Sequence, residues 1–175
     1  MKNILVVSHC ILNNASKVAQ DEAGLAEEYY YRNELMKLVL DKGIQLIQLP
    51  CPEFIMYGAG RWGHVKDQFD NAFFRANCRE MLTPVMMQLS EYASYPDRFN
   101  ILGLVTVEGS PSCGYGLTCR GDWGGELEGR ESVPQVRMAD EPGVFMEVAG
   151  ELCREYGLAI SFLSIPEAVS AVTDL

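Results

Sequence analysis

The chain has 175 residues, 48% of them hydrophobic, which is enough to bury the core of one domain and too few to build two. Its 24 acidic against 14 basic residues give a formal net charge of -10, which argues against a nucleic-acid backbone or an anionic membrane as the main partner, because both are met by clustered Lys and Arg. The apolar run near the amino terminus is too short for a spanning helix or a signal segment; a cytoplasmic location is therefore expected, where six cysteines stay reduced for metal or catalytic use instead of forming a disulfide framework.

A first strand is expected over 4–7, ending at Ser8-His9-Cys10. A helix over 25–41 follows, with Leu25, Leu35, Leu38 and Val39 among its apolar positions and Gly43 free to take the left-handed terminal conformation. A second strand over 44–49 runs into Pro50-Cys51-Pro52-Glu53. The next helical stretch begins near Asp67, spaces Phe69, Phe73 and Ala76 at helical intervals, and meets Pro84, which is expected to kink or break it. A third strand over 101–107 leads to Ser110-Pro111-Ser112-Cys113-Gly114. A helix over 143–156, a fourth strand over 158–164 and a short helix opened by Pro166 complete the chain.

This alternation predicts an α/β class: a single-domain, Rossmann-like three-layer fold whose mostly parallel sheet has about four strands joined by right-handed crossovers. Segments 11–24, 57–64 and 114–142 resist regular assignment. The last is glycine-rich and long enough to serve as a lid over the carboxyl-terminal edge of the sheet.

Cys10, Cys51 and Cys113 each follow a predicted strand closely. If the strands are parallel neighbours, their thiols meet at one sheet edge, where open α/β sheets bind ligands. Thiolates bind soft or borderline metals, so zinc and an iron–sulfur cluster both answer to this set. A cubane cluster normally takes four cysteines; with three, one iron keeps an open position for a substrate atom. Any one of these cysteines taken alone is better explained as a small residue buried at a strand end, an explanation that weakens for all three together. Cys78 and Cys153, on predicted helices, are assigned to packing. Cys119, six residues after Cys113, is a fourth ligand, a second redox thiol or a bystander.

Other chemistries fail on spacing. Six residues separate Cys113 from Arg120, one more than a cysteine-phosphatase loop has, and no phosphate-binding or dinucleotide glycine motif is present. His9 and His64 are the only histidines, which excludes a histidine-rich zinc site. A Cys113 and His9 nucleophile pair leaves Cys10 and Cys51 without a role.

The three elements Ser8-His9-Cys10, Pro50-Cys51-Pro52-Glu53 and Ser110-Pro111-Ser112-Cys113-Gly114, in this order, resemble the DUF523 family, whose characterised members are thiouracil desulfidases. The resemblance covers roughly the first two thirds of the chain. It implies a [4Fe-4S] cluster held by Cys10, Cys51 and Cys113, with the fourth iron free to take sulfur from a small thiocarbonyl substrate. The family also carries an arginine shortly after its Cys-Pro-Glu element, to which Arg61 corresponds. The family's Cys-Arg-Tyr-Asp-Gly stretch is replaced here by Ile11 to Ser16, and the glycine-rich insertion with Trp123 marks a branch of its own.

The expected activity is hydrolytic, non-redox desulfuration with release of sulfide. Glu53 is the best-placed acid or base, with the alternative of a dipole-favoured first-turn carboxylate beside Pro52. Ser110 and Ser112 bond the cluster sulfurs or assist proton transfer, or else shape the turn around Pro111. Arg61, Trp62 and Trp123 are the expected substrate contacts, an aromatic face suiting a flat heterocycle. Two other readings compete: a non-catalytic metal or iron–sulfur protein with Cys119 as fourth ligand, and a metal-free thiol enzyme of sulfur metabolism using Cys113 with Cys119.

Overall fold

The computed structural model describes residues 1–126, 128–129, 131–132 and 134–175. Strand β1 (Lys2–Val7) is followed by the one-turn helix α1 (His9–Leu12), an irregular stretch and helix α2 (Ala26–Asp41). Strand β2 (Gln45–Gln48) leads to helices α3 (Pro52–Tyr57), α4 (Lys66–Phe69) and α5 (Ala72–Ala93). Then come strand β3 (Phe99–Val105), the hairpin strands β4 (Thr118–Gly121) and β5 (Val136–Ala139), helix α6 (Val144–Glu155), strand β6 (Phe162–Leu163) and helix α7 (Ile165–Thr173).

Four strands form one parallel sheet in the order β2-β1-β3-β6, and β4 pairs with β5 in a separate antiparallel ribbon. Ile4, Leu5, Val6 and Val7 of β1 are all buried, as a strand covered on both faces must be. Crossovers run in opposite directions from β1 and β3, and with the right hand that parallel units take they put helices on both faces: α2 packs against α7, and α5 packs against α6. The α/β, Rossmann-like architecture expected from the sequence is therefore the one observed. In β3 the register with β1 slips at Leu102, because Ile4 faces Ile101 while Leu5 faces Gly103. Gly103 has φ +156, and a β-carbon there would stand 2.9 Å from the Ser161 carbonyl oxygen. Only glycine lets β6 come this close.

Local chemistry sets several boundaries. Gly43, at φ +62, ends α2. The Asn71 side chain accepts from the backbone N–H groups of Phe73 and Phe74 at 3.1 and 3.0 Å, capping α5. Ser164 and Glu167 form a reciprocal capping box at the start of α7.

Three expectations need correction. Of the kink or break expected at Pro84, the break does not occur: α5 continues to Ala93 although the proline removes one backbone donor. Cys78, Leu82, Met86 and Leu89 on this helix are fully buried, and burying four such side chains outweighs a penalty of about 3 kcal/mol. The fourth sheet strand is only Phe162–Leu163, because β6 finds partners only in Leu104 and Val105. The glycine-rich segment is not wholly irregular, since it contains the β4–β5 hairpin; Leu127, Arg130 and Val133 within it lie outside the described residues.

A charged cluster fastens that hairpin to the body. Lys66 is 1% exposed, and its ammonium donates to Glu147 at 2.5 Å, to the Pro142 carbonyl at 2.7 Å and to Glu141 at 3.2 Å. Arg120 of β4 bonds Glu141 and also reaches Asp67 of α4 at 2.7 Å, while the Gly121 N–H donates to Asp67 at 2.9 Å. The Arg120 contact holds the Glu141 carboxyl at about 2, well below its ordinary range. Replacing Lys66 by alanine leaves these carboxylates without their buried cation and is expected to cost about 3 kcal/mol in urea unfolding. Arg79→Ala, which removes an ion pair whose side chains are 45% and 50% exposed, is expected to cost under about 1 kcal/mol. Equal losses for the two variants would contradict the assigned role of Lys66.

Candidate functional site

The crossover from β1 leads to one side of the sheet and that from β3 to the other, so the crevice at their carboxyl ends is the topological switch point at which open α/β sheets bind ligands. A cavity of about 440 Å³ opens there. Its lining includes Cys10, Cys51 and Cys113, together with Glu53, Arg61, Ser110 and Ser112. Cys119 lines it as well. Cys78 and Cys153 are buried on α5 and α6, away from this lining.

Each cysteine is positioned by the end of its own strand. After β1, the backbone N–H and the hydroxyl of Ser8 both donate to the Val105 carbonyl, at 3.1 and 2.9 Å, which holds the first turn of α1, and with it Cys10, beside β3. His9 Nδ1 lies 3.2 Å from the Leu49 carbonyl, and the Gln48 amide donates to the His9 carbonyl at 2.8 Å. His9 thus braces β1 to the end of β2 and does not line the cavity, so the structure does not assemble a Cys113–His9 pair. Cys51 takes the cap position of α3, its sulfur accepting from the Phe54 N–H at 3.4 Å, and Pro52 follows where its missing donor costs nothing.

Glu53, in the first turn of α3, is buried and joined on both carboxylate oxygens. One accepts from the Ser112 hydroxyl at 2.6 Å and the other from Arg61 Nε at 3.3 Å. Ser112 has one hydroxyl proton, and Glu53 takes it. The Ser110 hydroxyl then donates to Ser112 Oγ at 3.3 Å, while Ser110 Oγ accepts from the backbone N–H groups of Cys113 and Ser112 at 3.0 and 3.3 Å. The result is a directed chain, Ser110 to Ser112 to Glu53, alongside Cys113. From beneath, the N–H groups of Val144 and Met146 donate to the Pro111 and Ser112 carbonyls, each at 3.1 Å. The start of α6 therefore supports the cysteine turn.

The expected substrate contacts fare differently. Arg61 lines the cavity, but its side chain is 3% exposed and donates to Glu53, to the Gly58 carbonyl at 3.2 Å and to the Ser16 carbonyl at 2.6 Å. It is a brace between segments. Trp62 is 75% exposed and Trp123 packs over Gly121, and neither lines the cavity. Trp62 leaves the short loop after α3 toward solvent, and the close approach of the Trp123 indole to Gly121 fixes it along the ribbon.

Burial in a low-dielectric setting disfavours the charged form of a thiol. It pushes Cys10 up to about 11, an effect that Lys17 partly offsets, raises Cys51 against the Phe54 N–H bond, and carries Cys113 well above its ordinary value. Cys119 is raised by burial too, and its thiol donates to the His64 carbonyl at 3.5 Å. Lys17, in the irregular segment after α1, and Glu28, in the first turn of α2, pair at 2.7 Å and line the cavity, and no motif announced them. The same holds for Glu108, whose carboxylate gathers the Thr106 hydroxyl and the Tyr115 and Leu117 N–H groups at 2.6 to 3.1 Å and so shapes the loop after Cys113.

Gly143 is a second tight mechanical constraint on the site, after Gly114, where a β-carbon would stand 2.0 Å from the Leu117 carbonyl oxygen. A β-carbon at Gly143 would stand 2.6 Å from the Ser112 carbonyl carbon and 2.8 Å from that of Pro111, backbone atoms that cannot rotate away. Gly143→Ala is expected to cost about 2 kcal/mol by overpacking and to loosen the turn, read as a lower Tm and faster alkylation of Cys113 in the folded protein. An unchanged Tm with unchanged labelling would show that the turn does not depend on this contact.

No protein-family model matches the chain, and no solved structure matches it. Among curated proteins it is similar to the uncharacterized protein MJ0003 of Methanocaldococcus jannaschii, with 36% identity over 112 residues, which are 64% of this chain and 67% of the archaeal protein. The chain belongs to the family of that archaeal protein.

Proposed function

We propose that the protein is a desulfidase, related to the DUF523 family, that removes sulfur from a small thiocarbonyl compound of the thiouracil type by non-redox hydrolysis, using a [4Fe-4S] cluster on Cys10, Cys51 and Cys113. The observation that carries this reading is that these three thiols line one cavity together with the hydrogen-bonded pair Glu53 and Ser112, 2.6 Å apart. The donor set fits such a group. Thiolates suit soft and borderline metals. A cubane cluster takes each thiolate at a separate iron. When bound, such a cluster supplies an iron without a protein ligand, a Lewis acid for the sulfur of the substrate.

The chain's own residues handle water and protons. Glu53 takes a proton from the water that adds to the thiocarbonyl carbon. Arg61 holds the other carboxylate oxygen and fixes the plane of the base. Ser110 and Ser112, donating toward Glu53, orient the base beside Cys113, and Glu53 returns its proton to the departing sulfur. Water supplies the oxygen of the new C=O bond and both protons, the C–S bond breaks, and sulfur leaves as hydrogen sulfide with no electron transferred. Glu53→Gln preserves the shape and an acceptor for Ser112 while removing the base. It is expected to lower kcat for sulfide release roughly a hundredfold or more with the visible absorption of the cluster intact; release at the wild-type rate would remove Glu53 from this role.

Cys119 favours a second reading, a closed four-thiolate site for storage, sensing or electron transfer, because it lines the same cavity. Anaerobic reconstitution separates the two. On the desulfidase reading, Cys119→Ala retains iron and acid-labile sulfide at wild-type stoichiometry and Cys113→Ala loses them. Loss of the cluster in Cys119→Ala would favour the closed site.

A further inference from the structure

Most of the cavity's neutral side-chain donors are already engaged. Ser16 donates to the Asn13 carbonyl at 2.8 Å, Ser112 to Glu53 and Ser110 to Ser112. Gln20, exposed at the rim, and His64 remain. His64 is the better placed of the two to discriminate between ligands, because its ring is anchored. Its centroid lies 4.9 Å from both Tyr57 and Phe69, and Phe69 is itself fully buried and stacked on Phe74 at 4.4 Å. The backbone is held as well, since the Cys119 thiol donates to the His64 carbonyl at 3.5 Å.

The ring has one nitrogen to offer. Among the described residues, His64 Nδ1 is buried with no hydrogen-bond partner. A buried N–H without an acceptor is rarer in folded proteins than an under-satisfied acceptor, so the neutral ring carries its proton on Nε2. We propose that His64 is a specificity-determining residue of this cavity, its Nε2–H donating to an exocyclic carbonyl oxygen on a flat, uncharged thiocarbonyl heterocycle. The proposal rests on the desulfidase reading for the thiocarbonyl and on His64 alone for the carbonyl. A site with a fixed donor disfavours a ligand lacking the matching acceptor by about one neutral hydrogen bond, so the preferred ring carries a C=O beside its C=S.

The test uses 2-thiouracil and pyrimidine-2-thione, which lacks the second carbonyl, with anaerobically reconstituted protein. Binding is read by calorimetry and turnover by sulfide release. The wild type is expected to bind 2-thiouracil about tenfold more tightly than the thione, the equivalent of one neutral hydrogen bond. His64→Phe, which keeps an aromatic ring against Tyr57 and Phe69, is expected to abolish the preference and raise KM with kcat little changed. His64→Gln, which restores an N–H donor, is expected to recover part of it. A wild type that binds both rings equally or binds neither, or a His64→Phe variant that keeps the tenfold preference, overturns the proposal. A preserved binding preference that His64→Phe abolishes, with no sulfide released from either ring, sustains the role of His64 while sinking the desulfidase reading.

Discussion

The Glu53 carboxylate is the junction on which the cavity depends. One oxygen takes the Ser112 hydroxyl at 2.6 Å, and the other takes Arg61. Arg61 in turn reaches the Ser16 carbonyl at 2.6 Å. Three segments leaving three different strands are thereby tied through a single acidic side chain. Charge-assisted bonds of this kind are strong when buried, and the loss of either partner leaves a charge without compensation. The carboxylate that the proposed chemistry needs as a base is therefore also what holds the cysteine-bearing segments in register.

Around that junction the sheet and the charged cluster act on the same turn from two sides. The bonds from Ser8 to Val105 bring Cys10 to the end of β3 from within the sheet. From outside, Lys66 grips the Pro142 carbonyl, and the next residue, Gly143, lies directly against the backbone of Pro111 and Ser112. A lysine that touches no part of the cavity is thus linked to Cys113 by a short run of backbone. The same packing that fixes the thiols also makes their charged forms costly. Whatever binds them as thiolates must displace protons and supply the missing positive charge, and Lys17, the cation that acts on Cys10 among the described residues, is already matched by Glu28.

Much of the scaffold could be read from residue order because local chemistry decided it. Apolar runs at 4–7 and 101–105 are strands, Gly43 ends the first long helix, and Pro166 opens the last one. Where local and tertiary preferences opposed each other, tertiary burial won: Pro84 sits inside α5 because Cys78, Leu82, Met86 and Leu89 have a core to enter. The tryptophans misled for the converse reason. Trp62 and Trp123 are suited to a flat ligand by type, yet one leaves its loop toward solvent and the other is fixed against Gly121. The aromatic group that backs the cavity-lining His64, Tyr57 and Phe69, comes from two helices, with His64 in the loop between them, a grouping with no period to reveal it.

The sequence by itself determined the class of fold and the convergence of Cys10, Cys51 and Cys113, because in a parallel sheet every strand delivers its carboxyl end to the same edge. It also marked Glu53, Ser110 and Ser112 as the polar residues beside those thiols. Only the tertiary structure decided that Glu53 and Ser112 are bonded to each other, that Arg61 braces the carboxylate and has its N–H groups turned to protein acceptors, and that Cys119 shares the cavity while His9 does not. These are contacts between residues far apart in the chain. Strand order, crossover hand and side-chain packing bring them together, and none of the three is encoded in the spacing around any single residue.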